Sequence, residues 1–273
     1  MSYVDEMFGL GTLRAVVTGG AGVLPRTMAR ALLNAGATVS IWGRGTGHPV
    51  DEAVASLAAD TGAGERIWGE TVDTGDRESV ERALADTEAT MGLPRLLVNG
   101  VGGNKGKSDF VDIDTELLMD VIRMNLLAGF IVPTQVFARR WQTEGIEGNI
   151  INLASMTSFK ALSGVWAYNA AKSAVKNMTE GAARELGPQG IRVNAIAPGF
   201  FIGHQNRSLL VKDDETGELT DRGRAIIDRT PFGRFGDKSE IEGLTVFLAS
   251  TAASGFITGA TIPVDGGYLT DNI

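Results

Sequence analysis

Short runs of apolar, mostly β-branched residues recur along the chain, separated by longer stretches in which apolar positions return every three or four residues. The runs are Ala15-Val16-Val17, Thr38-Val39-Ser40-Ile41, Arg66-Ile67-Trp68, Leu96-Leu97-Val98, Asn149-Ile150-Ile151-Asn152-Leu153, Ile191-Arg192-Val193-Asn194-Ala195-Ile196 and Thr261-Ile262-Pro263-Val264. Runs of this kind, without polar alternation, predict strands buried on both faces. Between them, Thr27 to Ala35 gathers Met28, Ala31, Leu32 and Ala35 on one helical face, and Arg77 to Met91 is charged yet carries Val80, Leu84 and Met91. Strand alternating with helix implies right-handed crossovers and a parallel sheet covered on both sides. The expectation is α/β: a single doubly wound domain with a seven-stranded parallel sheet flanked by helices. Asn34-Ala35-Gly36 and Leu186-Gly187-Pro188 each set a glycine just past a helical pattern, as a helix end requires.

No internal repeat, low-complexity tract or linker divides the chain, so residues 1–273 read as one domain. One long polar excursion, 204–229, leaves the end of the sixth strand run. Ligands of open α/β sheets bind beyond the carboxyl ends of strands, so this segment is either a substrate lid or a solvated insertion. The charge balance, 25 Lys+Arg against 33 Asp+Glu for a net −8, argues against nucleic-acid and anionic-membrane partners. The acidic N-terminus precedes no apolar signal region, and no apolar run approaches the roughly 18 residues of a spanning helix, so a cytoplasmic location is expected. The chain has no cysteine, which removes thiolate chemistry, and its two histidines, His48 and His204, lack a metal-ligand spacing. No metal is therefore expected. Glycine is in excess, 36 of 273 residues, so many close backbone approaches or left-handed turns are needed.

Four groups could carry chemistry. The first strand runs into Thr18-Gly19-Gly20-Ala21-Gly22-Val23-Leu24-Pro25 and then a helix. Glycines at such a turn let backbone N–H groups and the helix N-terminus approach a pyrophosphate, although a ligand-free tight turn looks the same. Tyr168 and Lys172 stand at i, i+4, where the ammonium can lower the phenol's pKa toward working pH and make it a proton donor or acceptor. Ser155 ends a buried strand 13 residues before Tyr168; its hydroxyl either bonds a substrate oxygen or caps the next turn. Asn125 lies in an apolar helical run, as a satisfied core amide or a relay.

These groups, taken with Leu97-Val98-Asn99-Gly100, Asn194-Ala195-Ile196-Ala197-Pro198-Gly199 and Pro263-Val264-Asp265-Gly266-Gly267, resemble the short-chain dehydrogenase/reductase family in type, order and spacing from about residue 10 to 268. The resemblance implies a Rossmann domain and hydride transfer between a nicotinamide cofactor and a CH–OH carbon. It also implies Tyr168 as catalytic acid/base, Lys172 as its partner and ribose anchor, Ser155 as donor to the substrate oxygen and Asn125 as holder of a relay water. Cofactor positions carried over are Gly19, Gly22, Val23 and Leu24 at the pyrophosphate, Asp73 at the adenine, Asn99 and Gly100 along the ribose side, and Pro198, Gly199 and Phe201 at the carboxamide. The chain departs from the family pattern at Val23 and Pro25, where glycines are usual, at Gly100 in place of a second asparagine, and at Gly203 in place of a threonine. After the second strand, Gly43-Arg44 replaces the acidic residue that would hold the hydroxyls of NAD, and Arg44 can pair with a 2′-phosphate. NADP(H) is favoured, with NAD(H) the alternative.

Within the family the wording resembles sugar-acid oxidoreductases of the D-mannonate/fructuronate type: Gly-Gly-Asn at 102 to 104, Pro-Thr-Gln-Val-Phe at 133 to 137, and Ala-Pro-Gly-Phe-Phe followed by Gln205-Asn206-Arg207. The expected partner is a small hydroxylated, anionic substrate. Arg207 would clamp its carboxylate, Lys105 add a point charge, and Asn104, Gln205 and Asn206 bond hydroxyls. A reductase of 3-oxoacyl thioesters or sugar alcohols would share the catalytic residues. A non-catalytic dinucleotide sensor would not need Ser, Tyr and Lys together. The resemblance also implies a homotetramer or homodimer through the helices bearing Asn125 and Tyr168 and the last strand, with Phe247, Phe256 and Ile257 as core or interface residues.

Overall fold

The computed structural model describes residues 2–203, 207–213 and 216–270. Seven strands form one sheet: β1 (Arg14–Thr18), β2 (Thr38–Gly43), β3 (Ile67–Thr71), β4 (Leu96–Asn99), β5 (Gly148–Leu153), β6 (Ile191–Pro198) and β7 (Thr261–Val264). Their order is β3-β2-β1-β4-β5-β6-β7 and every pairing is parallel. The order reverses between β1 and β4, the switch point where a doubly wound sheet opens a crevice for a ligand.

The helices in chain order are α1 (Tyr3–Phe8), α2 (Val23–Asn34), α3 (Val50–Thr61), α4 (Arg77–Met91), α5 (Thr115–Ile122), α6 (Val132–Glu144), α7 (Trp166–Leu186), α8 (Arg207–Leu210), α9 (Asp221–Ile227), α10 (Glu242–Ala249) and α11 (Thr251–Ser254). The strand runs lack alternation because both faces of the sheet are covered. Val17, Ile41, Val98 and Ile151 pack with Met28, Leu32, Leu57 and Leu248 on one side. Val16, Trp42, Leu97 and Ile150 pack with Leu84, Phe137 and Trp141 on the other. On that second side Trp42, Phe137 and Trp141 form a chain of tilted rings at 5.6 and 5.7 Å, each pair worth about 1 kcal/mol beyond its burial. The Trp141 indole donates to the Pro94 carbonyl at 2.7 Å, and a Cβ at Gly148 would lie 2.2 Å from its ring. Only glycine can start β5 beneath that indole.

Several local expectations change. Helix α2 begins at Val23, not Thr27, because Pro25 falls within its first turn, where its missing N–H is not needed. Helix α1 is held by a capping box in which Ser2 Oγ accepts from Asp5 N–H and the Asp5 carboxylate accepts from Ser2 N–H. Gly187 does not end α7 in a left-handed conformation. The chain continues through a 3₁₀ turn that accommodates Pro188, and Gly190, at φ 74°, closes it. Among the described residues after β6, α8 and α9 are joined by the bridge Val211–Leu219, with the Cβ space of Gly223 taken by the Leu210 carbonyl at 2.2 Å. His204, Gln205 and Asn206 lie outside the described residues.

Thr115–Glu144 is long and apolar enough to cross a membrane by length and composition, contrary to the expectation from apolar runs; 33% of its apolar window is buried. Asp120 and Arg123 interrupt the apolar residues, but the helix passes through them, α5 continuing into α6 by way of a π-helical segment, Arg123–Ile131. In this fold its Val121, Phe130, Phe137 and Trp141 are buried.

Candidate active site

A cleft of about 880 Å³ runs across the carboxyl ends of β1 to β6. At one end it is lined by Gly43, Arg44, Gly45, Thr46 and His48 from the turn after β2 and by Asp73 to Asp76 after β3; at its centre by Gly19, Gly22, Val23 and Leu24; at the other end by Ser155, Tyr168, Lys172, Pro198, Gly199 and Phe201.

The central part fits a dinucleotide on its own geometry. Gly19 has φ 66°, and a Cβ there would stand 2.9 Å from the Gly100 carbonyl, so no side chain can enter the floor of the cleft. Helix α2 starts at Gly22 with no side-chain cap. Its first N–H groups have no intrahelical acceptor and, with the positive end of the helix dipole, suit a pyrophosphate. Replacing the usual glycines by Val23 and Pro25 leaves this N-terminus open. Thr18 fixes the turn to β4, its Oγ1 accepting from Gly100 N–H at 3.0 Å and donating to the Val98 carbonyl at 3.3 Å.

Ser155, Tyr168 and Lys172 converge at the far end. Ser155 is buried at the end of β5 and does both things open to it: its Oγ accepts from Thr157 N–H at 3.2 Å, capping the next turn, and it hydrogen-bonds the Tyr168 side chain. Lys172 is buried one turn along α7, its Nζ 5.7 Å from the centre of the Tyr168 ring and donating to the Leu153 carbonyl at 2.7 Å. The expected lowering of the phenol's pKa by this ammonium is not found in the chain alone. Burial pushes Tyr168 above its ordinary value, with the Ser155 hydrogen bond opposing. The same burial pushes Lys172 down to about 8. Lys172 thus lies beside the phenol with its ammonium donating to a carbonyl.

Asn125 is fully buried in the π segment. Its Oδ1 accepts from Gly103 N–H at 3.0 Å, and its Nδ2 donates to the Gly103 and Val121 carbonyls at 2.7 and 2.8 Å. Its side chain therefore clamps the loop after β4. Gly102 sits between this clamp and the lysine: a Cβ there would lie 2.7 Å from Asn125 Oδ1 and 3.1 Å from Lys172 Nζ.

Two assignments are corrected. Asn99 is 1% exposed and its side chain does not line the cleft; it turns into the protein and donates to Thr134 Oγ1 and Asn152 Oδ1. The end of β4 is covered on both faces, which leaves only Gly100 of that pair at the surface of the cleft. Arg207 is exposed on α8 and is not among the described residues that line the cleft. Asn104 and Lys105 do line it; Asn104 donates to the Gly106 carbonyl at 2.8 Å and Lys105 pairs with Asp120 at 3.7 Å. Asp73 lines it too, its Oδ1 accepting from Gly75 N–H at 2.9 Å.

His48, Asp120, Arg123 and Met124 also line the cleft, unanticipated from sequence. A signal for the first was available in the glycine-flanked turn Gly45-Thr46-Gly47-His48, whose glycines have φ 72° and 80°. The others follow the three-to-four residue spacing Asp120, Arg123, Met124, Leu127, Ala128, one helix stripe. The loops after β4 and β5 are tied together: Ser108 N–H donates to the Gly164 carbonyl and Trp166 Nε1 to the Ser108 carbonyl, each at 3.1 Å, with Phe110 edge-on to Trp166 at 5.3 Å.

A doubly wound parallel sheet with an open helix N-terminus at its switch point and a Ser-Tyr-Lys group beside it defines a nicotinamide-dinucleotide oxidoreductase. A family model described as enoyl-(acyl carrier protein) reductase matches residues 22–269. The chain belongs to the short-chain dehydrogenase/reductase family and is an NAD(P)-dependent enzyme acting on CH–OH groups. It is similar to an uncharacterized oxidoreductase, UxuB, of Bacillus subtilis, 38% identical over 93% of this chain and 94% of the relative. Among solved structures it is similar to a gluconate 5-dehydrogenase of Burkholderia cenocepacia in complex with NADP and tartrate, with TM-score 0.84 and 32% identity over 99% and 100% of the two chains. It is also similar to a protein of Haemophilus influenza named provisionally as a D-mannonate oxidoreductase and holding NAD, with TM-score 0.86 and 31% identity over 98% and 99%.

Proposed function

We propose that this chain interconverts a secondary alcohol and a ketone on a sugar acid of the gluconate, mannonate or fructuronate kind, with NADP(H) as the preferred cofactor. The observation that carries the reading is the join of two features in one cleft: a Ser155-Tyr168-Lys172 group with its serine and lysine buried and, beyond it, a rim with Asn104 and Lys105 suited to hydroxyls and a carboxylate. The named activities of the similar proteins point the same way. When bound, the nicotinamide supplies or accepts the hydride.

The chain's part is orientation and proton transfer. In the reducing direction Ser155 Oγ–H and the Tyr168 phenol both point donors at the carbonyl oxygen. The phenol then gives its proton as charge develops there; in oxidation it takes the proton back. Lys172, the ammonium beside the phenol, stabilises the phenolate left behind. Arg44, exposed at the end of β2, lies where the departing turn can present it to a ribose 2′-phosphate.

The test is a panel of keto-sugar acids, sugar alcohols and oxoacyl thioesters run with both cofactors on the wild type and Arg44→Ala. Keto-sugar acids should give the highest kcat/KM, and Arg44→Ala should raise KM for NADPH about tenfold with little change for NADH, as expected for losing one charge-assisted contact of about 1.5 kcal/mol. Preference for oxoacyl thioesters, or an unchanged cofactor ratio, would overturn the corresponding half of the reading.

The assembly we propose is a homo-oligomer built on the outer face of Thr115–Glu144 and α7. Met119 and Met178 are exposed there, apolar positions that a second copy would cover. A mass measured by light scattering at twice or four times 28.8 kDa is the expected result, and a monomer at assay concentrations would refute it.

A further inference from the structure

A line of buried polar side chains crosses the sheet beneath the active site. Asn99 at the end of β4 and Asn152 in β5 are register partners, so their amides lie side by side at one level. Asn99 Nδ2 donates to Thr134 Oγ1 of α6 at 2.9 Å and to Asn152 Oδ1 at 2.8 Å; Asn152 Nδ2 donates to Thr179 Oγ1 of α7 at 2.9 Å; Thr179 Oγ1 donates to the Val175 carbonyl at 2.8 Å. Thr134 is 7% exposed and the other three are 1% or less. None of the four lines the cleft. Polar groups this deep need each other as partners, and their directional bonds fix the relative height of the elements they join, which apolar packing alone does far less sharply.

We infer that Asn152 and Thr179 are positioning residues that set the height of α7, and so of Tyr168 and Lys172, against β5. The two anchor points are related by simple geometry. Thr179 follows Lys172 by seven residues, two helical turns on the same face. Asn152 directly precedes Leu153, whose carbonyl receives Lys172 Nζ, and stands three residues before Ser155. Helix α7 is therefore pinned to β5 twice, once where Lys172 donates to the Leu153 carbonyl and once where Asn152 donates to Thr179, and Ser155 follows two residues after that strand. A slip of α7 along β5 would move the phenol and the ammonium together away from Ser155. The Thr134–Asn99 end of the line joins α6 and β4, and so has no direct hold on α7.

This inference rests on the catalytic reading of Tyr168 and Lys172, and the wild-type rates from the substrate panel test that reading separately. The experiment compares Thr179→Val, Thr179→Ser and Thr134→Val, with kcat and both KM values measured on protein shown to be folded by circular dichroism. Thr179→Val keeps the shape but removes the acceptor for Asn152. It should lower kcat about tenfold while leaving both KM values within twofold, because a small misplacement of reacting groups costs rate more than binding. Thr179→Ser should restore the rate. Thr134→Val should lower the unfolding temperature without loss of kcat. Should Thr179→Val not fold, Thr179→Ala takes its place with the same expectation. Wild-type kcat in the folded Thr179 variant, or an equal loss of kcat in Thr134→Val, overturns the inference.

Discussion

Replacing Tyr168 by phenylalanine is expected to lower kcat about 1000-fold, the range general acid–base catalysis supplies, while the dissociation constant for NADPH stays within twofold. The substitution removes one oxygen from a side chain that only partly faces solvent, and it leaves the ring, the cation–π contact with Lys172 at 5.7 Å and the cleft in place. The lost transition-state stabilisation is about 4 kcal/mol. The pH dependence gives a second reading of the same group. Burial holds the phenol above its ordinary value, so across the neutral range it carries its proton and is ready as an acid. Ketone reduction by the wild type should therefore be level at neutral pH and fall as pH rises through the phenol's pKa in the working complex, and alcohol oxidation should rise over the same window. Both slopes should vanish in Tyr168→Phe. A variant that keeps more than a tenth of the wild-type rate would assign the proton transfer to another group.

Gly102→Ala carries the second large effect, through sterics. The added methyl would stand 2.7 Å from Asn125 Oδ1 and 3.1 Å from Lys172 Nζ. Asn125 is held by three hydrogen bonds to Val121 and Gly103 and cannot swing aside without leaving them unpaired. The lysine, at the end of a longer stem, is the part that yields, losing its bond to the Leu153 carbonyl and its place beside Tyr168. The expected outcome is a fall in kcat/KM of about 100-fold, with a stability loss of about 1–2 kcal/mol typical of overpacking. Thermal unfolding and steady-state kinetics on one preparation separate the two. Unfolding of the variant at room temperature, or activity near wild type, would show that the methyl is accommodated some other way.

Most of the sheet was legible in the sequence because a parallel sheet buried on both faces writes itself as unbroken apolar runs, and all seven runs became strands. The edges of helices were less so. The apolar stripe of α2 becomes readable only from Thr27, although Pro25, at home in a first helical turn, already suits an earlier start. The α8–α9 pair was hidden by polarity, since helices this short on a surface bury few residues and leave no periodic stripe.

Site residues divide in the same way. Ser155, Tyr168, Lys172 and the glycines are legible because their spacing fixes their geometry: i, i+4 on a helix or the first residue past a strand. Asn99 was misplaced because the last residue of a strand points to one face or the other according to register, which a lone sequence does not carry. Arg207 falls off the lining of the cleft because proximity along the chain to a strand end does not fix the direction of the helix that follows. The Tyr168 phenol is pushed up by burial, with the Ser155 hydrogen bond opposing, and burial comes from the packing around the helix, which i, i+4 spacing does not carry.

The tie between Ser108, Gly164 and Trp166 has a consequence for local opening. The loops after β4 and β5 are stitched to each other by two hydrogen bonds and a ring contact, so neither loosens without the other. Their opening is then one cooperative event, and hydrogen exchange at Ser108 N–H reports on both loops at once.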